Sequence, residues 1–130
     1  MQNLALDTNA YTTLGRGNKP LSKLIASVVH IGLPITVLGE IYFGIMNGSQ
    51  TKTNNILLEH FLSNARVEIL NVNDSTAKLF GEIATELKRA GRPIQQNDIW
   101  IAALCKQYSF RLATNDMGFS NITGLEVINF

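Results

Sequence analysis

Five short apolar runs, set between segments of helical pattern, constrain this 130-residue chain more than any other feature. They are Leu4-Ala5-Leu6, Pro34-Ile35-Thr36-Val37, Val67-Glu68-Ile69-Leu70, Arg111-Leu112-Ala113-Thr114 and Leu125 to Phe130. Each has the length and bounding residues of a strand. Between them apolar residues recur at helical spacing. Leu21, Leu24, Ile25 and Val28 predict a helix over 20–30. Ile41 and Ile45 predict one over 38–47, with Glu40 in its first turn. Leu57, Leu58, Phe61 and Leu62 predict one over 53–64. Ala77, Phe80, Ala84 and Leu87 form a further apolar stripe, capped by Asp74 or Ser75 and ended by Gly91 and Pro93. Asn97-Asp98 precedes an apolar helix from Ile99 to Tyr108, and Gly118 to Gly124 reads as a loop. Strands alternating with helices predict an α/β fold, with a central, mostly parallel sheet flanked by helices on both faces. The length and the absence of repeats or linkers predict a single domain over 1–130.

Composition narrows what such a fold can do. Eleven basic residues against ten acidic leave a formal charge of +1. A polycation that grips nucleic acid by charge alone is excluded, although a local basic patch is not. One cysteine excludes an intramolecular disulfide framework and a Cys-rich zinc site. Asp7 interrupts the N-terminal apolar run, and no run approaches the roughly 18 apolar residues needed to span a bilayer. The expectation is a cytoplasmic protein with no membrane partner.

The placement of four acids is the main pointer to function. Asp7 follows the first predicted strand, Glu40 the second, and Asp116 the strand at 111–114; Asp98 opens a helix. Ligands of open α/β sheets bind outside the carboxyl ends of the strands, so this reading lets all four converge at one rim. Packed carboxylates repel unless a cation neutralises them. Hard oxygen donors suit Mg²⁺ or Mn²⁺, which activate water and stabilise the leaving oxygen of a phosphodiester. Each acid also has a simpler reading. Asp7 and Asp98 can cap helices, and Asp116 can sit in a turn with Asn115.

The local strings carry a resemblance. Leu4-Ala5-Leu6-Asp7-Thr8-Asn9 resembles the opening of PIN-domain nucleases. Thr36 to Gly44 resembles their second acidic motif, a glutamate with a glycine four residues on. Gly91 to Ala103, containing Gln96-Asn97-Asp98-Ile99-Trp100, is similar to the third motif of VapC-type toxins, and Leu112-Ala113-Thr114-Asn115-Asp116-Met117-Gly118-Phe119 to the fourth. Gly124 to Ile128 is similar to the last strand. Met117-Gly118 departs from the more polar residues often found there. The resemblance implies a PIN-like three-layer sandwich and a metal-dependent endoribonuclease. It implies Mg²⁺ or Mn²⁺ held by Asp7, Glu40, Asp98 and Asp116, with Asn9 and Thr114 as support residues. It also implies an RNA substrate, a cognate antitoxin protein and a homodimer.

Other residues read as structural. His30 and His60 lie in no zinc or triad spacing, and Cys105 sits on an apolar helix face. Trp100, Phe80 and Phe61 occupy helical core positions, while Tyr42, Phe43 and Ile45 suit either core or a partner surface. Arg16, Lys19 and Lys23, and again Lys88, Arg89 and Arg92, form two basic clusters that hold RNA phosphates if they flank the acids. Two other functions compete. A PIN fold that binds RNA or protein without cutting would be expected to lack one or more acids, and all four are present. A phosphoacceptor domain of the receiver type needs an aspartate ending the middle strand and a late lysine. The corresponding positions here are Asn71-Val72-Asn73 and Asn115-Asp116.

Overall fold

A computed structural model describes residues 2–130. In chain order its elements are β1 (Asn3–Leu6), α1 (Thr8–Gly15), α2 (Lys19–Ala26), β2 (His30–Pro34), α3 (Ile35–Met46), α4 (Thr51–Leu62), β3 (Val67–Leu70), α5 (Asp74–Arg89), α6 (Gln96–Tyr108), β4 (Arg111–Ala113), a 3₁₀ turn (Met117–Asn121) and β5 (Val127–Ile128). The strands form one sheet in the order β3-β2-β1-β4-β5, and every pairing is parallel. Helices cover both faces, giving the three-layer α/β sandwich.

Strand alternation divides the core between those faces. Leu4, Leu6, Ile31 and Ala113 pack with Leu21, Ile25 and Val28 around α2. Ala5 and Leu112 belong to the larger core, with Ile101, Ala102 and Cys105 of α6 and Ile83 and Leu87 of α5. The Phe80 and Trp100 rings stack at 4.3 Å between centroids and help lock α5 to α6, so Trp100 serves packing. Gly32 lies on the same face, opposite Ala5 in register. A Cβ there would come within 2.8 Å of the Phe110 ring and 3.0 Å of Leu70 Cδ1. Glycine is what lets Phe110 lie against the middle of the sheet.

Several local predictions are corrected. The strand predicted at 34–37 lies at His30–Pro34, and α3 begins at Ile35. Pro34 fixes the turn into that helix at φ −55°, and Val37, Leu38, Ile41 and Ile45 are drawn onto one buried face. Packing of that face overrides the strand preference of Ile35, Thr36 and Val37. Glu40 therefore lies in the second turn of α3, not the first. The helix predicted over 20–30 stops at Ala26, and His30 opens β2. The cap of α5 is Asn73 rather than Asp74 or Ser75. Its side chain accepts from the Ser75 and Thr76 amides while Thr76 Oγ1 accepts from the Asn73 amide. The expected loop after residue 117 is partly the 3₁₀ turn, and the last strand is only two residues long. No helix among the described residues is long and apolar enough to cross a membrane.

Candidate active site

The strand order reverses at β1. The chain steps from β1 to β2 and β3 on one side, then returns to add β4 and β5 on the other. Such a switch point opens a crevice at the carboxyl ends of the two strands that flank it. Asp7 leaves β1 at this crevice, and Thr114 to Asp116 leave β4 beside it.

Asp7 is only 7% exposed. Its Oδ1 accepts from the Ala10 amide at 2.8 Å, which caps α1, and its Oδ2 accepts from the Thr114 hydroxyl. Thr114 is fully buried, and its hydroxyl oxygen in turn accepts from the Asp116 amide at 3.0 Å. Asp116 Oδ1 accepts from the Gly118 amide at 2.8 Å and caps the 3₁₀ turn. Capping and membership of the acid cluster are therefore not alternatives for Asp7 and Asp116; one carboxylate does both. Gly118 also has a local reason. A Cβ there would stand 3.2 Å from both Asp116 Oδ1 and Ile94 Cγ2.

The other two acids come from helices. Glu40 Oε1 accepts from the Thr8 hydroxyl at 3.0 Å and from Asn97 Nδ2 at 2.6 Å, joining α3 to α1 and α6. Asp98, in the first turn of α6, is half-buried, and none of the side-chain hydrogen bonds among the described residues reaches its carboxylate. It shares an open depression with Asp116, Gln95, Ile94 and Pro93. Asn9 is exposed in α1 and takes no part in these bonds. Thr8 and Asn97 were missed by sequence reasoning. Their only signal is adjacency to Asp7 and Asp98 in the chain.

The four carboxylates share one electrostatic field. Burial pushes Asp98 up to about 6 from its ordinary 3.8, and the charges of Asp116, Glu40 and Asp7 add to the rise. Burial also raises Asp7, with Asp116 and Glu40 adding to it, while the Thr114 hydroxyl and the Ala10 amide act against the rise. Among the described residues the one ion pair is Arg111 with Glu126, away from these acids. No three acid, histidine or cysteine side chains among the described residues are already gathered as a metal cage. An all-oxygen donor set in which burial and like charge disfavour ionised Asp7 and Asp98, with no paired cation among the described residues, nonetheless fits a hard divalent ion, which would relieve the repulsion. Beside Glu40 runs a groove of about 540 Å³ whose lining includes Thr8, Tyr11, Arg16, Leu57 and Phe61. Arg16 thus shares a groove with Glu40, while Lys19, Lys23, Lys88 and Arg89 are simply exposed. Cys105 is fully buried, with its thiol pushed up to about 12 by burial, so it is inert.

Comparison with known proteins places this arrangement. The sequence matches the PIN domain over residues 4–125. It is 33% identical over 129 residues to ribonuclease VapC1 of Haemophilus influenzae, covering 93% of this chain and 92% of that one. It is 30% identical over 128 residues to ribonuclease VapC2 of the same species, covering 96% of each. The fold superposes on the structure of VapBC2 from Rickettsia felis bound to a DNA fragment from its promoter, with a TM-score of 0.86, 26% identity and 98% of each chain covered. The chain therefore belongs to the PIN domain family, as a relative of the VapC ribonucleases.

Proposed function

We propose that this protein is a metal-dependent endoribonuclease, the toxin of a toxin–antitoxin pair, and that Asp7, Glu40, Asp98 and Asp116 are its metal-binding acids. The observation that carries the reading is the cluster itself. Four carboxylates from distant parts of the chain meet at a sheet switch point, their charges add to the raised proton affinity of Asp7 and Asp98, and no side-chain cation among the described residues pairs with them. The names of the VapC relatives support the reaction, and the VapBC complexes support an antitoxin partner. The family match from residue 4 to 125 supports one domain over the whole chain. A cytoplasmic location and a homodimer complete the proposal.

The residues divide the work. Asp7 is held by the Thr114 hydroxyl and the Ala10 amide, which leaves its remaining lone pairs directed by fixed geometry. Glu40 is steadied at Oε1 by Thr8 and Asn97, leaving Oε2 free of side-chain bonds. Asp98 and Asp116 line the depression in which a scissile phosphate would sit. When bound, Mg²⁺ or Mn²⁺ supplies an activated water and a counter-charge for the leaving oxygen of the RNA phosphodiester. Thr114 is a positioning residue, acting through Asp7 and the Asp116 amide.

The test is cleavage of RNA by the purified protein and by Asp98→Asn, with Mg²⁺ or Mn²⁺ and then with EDTA. Cutting by wild type alone, and only with the ion, is expected. Cutting that survives EDTA, or that Asp98→Asn retains in full, would overturn the assignment. A folded protein that binds RNA but cuts none would mark the non-cleaving binding module instead.

A further inference from the structure

The ladder between β4 and β5 ends at Ala113 and Ile128, but the pairing continues beyond it through side chains. The Thr114 amide donates to the Ile128 carbonyl at 3.1 Å. Asn129 Nδ2 donates to the Thr114 carbonyl at 2.9 Å. Asn115 Nδ2 donates to the Phe130 carbonyl at 2.8 Å, and its Oδ1 accepts from the Phe130 amide at 2.9 Å. Two carboxamides thus replace backbone rungs where the strands have run out.

What they hold is the segment that carries the acid site. Both backbone polar groups of Thr114 are occupied by residues 128 and 129, so its Cα is fixed from both sides. Its hydroxyl is then aimed at Asp7 Oδ2, with the Asp116 amide resting on the same oxygen. Without the Asn129 carboxamide, the carbonyl of a fully buried residue loses its protein partner, and the segment must shift to find another.

We propose that Asn129, with Asn115, is a positioning residue for the acid site, setting Asp7 and Asp116 through the backbone of Thr114. The proposal rests on the reading of the acid cluster given above. It does not follow from strand pairing in general, and the molecule contains its own control. The Arg111–Glu126 ion pair joins the same two strands at their opposite end, away from the acids. Removing it takes away a contact between these two segments without touching Thr114.

The experiment compares Asn129→Asp, which keeps the shape but removes the donor, with Asn129→Ala, Asn115→Ala and Glu126→Gln. Three quantities are read: kcat and KM on RNA, Mn²⁺ affinity by calorimetry, and hydrogen exchange at the Asp116 amide by NMR. Expected for both Asn129 variants is a fall of about 10–100-fold in kcat and in Mn²⁺ affinity, the usual cost of losing an outer support of a metal site. KM should stay within a few fold, and the Asp116 amide should exchange faster. Asn115→Ala should show a smaller change in the same direction, and it serves as the second variant if an Asn129 variant fails to fold. Glu126→Gln should leave all three at wild-type values. Wild-type kcat, Mn²⁺ affinity and Asp116 exchange in Asn129→Ala would overturn the proposal, as would an equal loss in Glu126→Gln. If wild type neither cuts RNA nor binds Mn²⁺, the functional reading fails, and Asp116 exchange alone decides whether the clamp exists.

Discussion

Asp7 and Asp98 face the same field from two differently built regions. Asp7 stands at the end of a central strand, buried, with a hydrogen bond to each carboxylate oxygen. Asp98 stands on the first turn of a helix, half-buried, with no side-chain or backbone donor among the described residues. Burial raises the pKa of both, and for both the neighbouring acids add to it. Only Asp7 has donors that oppose the rise; Asp98, without them, is pushed up to about 6. The strand side of the site is fixed by the fold before any ion arrives. The helix side holds a carboxylate whose energy is lowered only by what binds it. On the function proposed above, position comes from one half, and appetite for a cation from the other.

The sharpest way to break this contrast is to neutralise each acid in turn. Asp7→Asn and Asp98→Asn should both abolish RNA cleavage, but they should part in stability. At pH 7.5 without metal, Asp98→Asn should melt higher than wild type, because it removes a charge the folded state disfavours. Asp7→Asn should melt no higher, because its new amide faces the Thr114 hydroxyl that formerly donated to it. Thermal melts beside cleavage assays check both, and a lower melting point for Asp98→Asn would undo the comparison. Next in size, Thr114→Val strips the donor from Asp7 and should cost about 10–100-fold in kcat, while Thr114→Ser recovers most of it.

A pH series sharpens the same contrast. Asp98 binds its proton more tightly when folded, with a pKa of about 6, than at its ordinary 3.8. The sign follows directly: this group favours the folded state below about pH 4, and that contribution is lost as pH rises through about 6. Metal-free protein should therefore lose stability from this group over that window. Mn²⁺ affinity should move oppositely, falling up to about tenfold per unit as pH drops below about 6, because the proton competes for the ligand. Calorimetry at pH 5 and 7.5 reads this, and equal affinity at the two would remove Asp98 from the ligand set. The smallest effect expected is that of Cys105→Ser. It should cost about 1–3 kcal/mol of stability, by placing a hydroxyl in an apolar core, and leave cleavage within a few fold.

The sequence carried the fold class and the approximate position of every strand except β2, because alternating apolar runs and helical stripes are local signals. It misplaced β2, where Ile35-Thr36-Val37 reads as strand only when the face of α3 that buries Val37, Ile41 and Ile45 is unknown. That shift matters to the site. Glu40 follows Pro34 by six residues, so it is carried about 9 Å along a helix axis before it meets the other acids. The strand-end rule accounts for Asp7 and Asp116 but not for Glu40. The Thr8–Glu40–Asn97 network was illegible for a similar reason. Its partners lie 32 and 57 residues apart, and no periodicity relates them. Asn129 and Asn115 read as ordinary polar residues near a strand end; only the geometry beyond the ladder gives them a task.

The strand order has a consequence in time. Asp7 is translated before its hydroxyl partner, which lies 107 residues downstream. At translation speeds of about 5–20 residues per second, roughly 5–20 s separate the two. Until β4 has been made, β1 lacks one of its two neighbours and Asp7 has no Thr114 to meet. The acids cannot act together on a half-made chain. The order in which the strands are laid down thus makes this corner of the molecule one of the last to be completed.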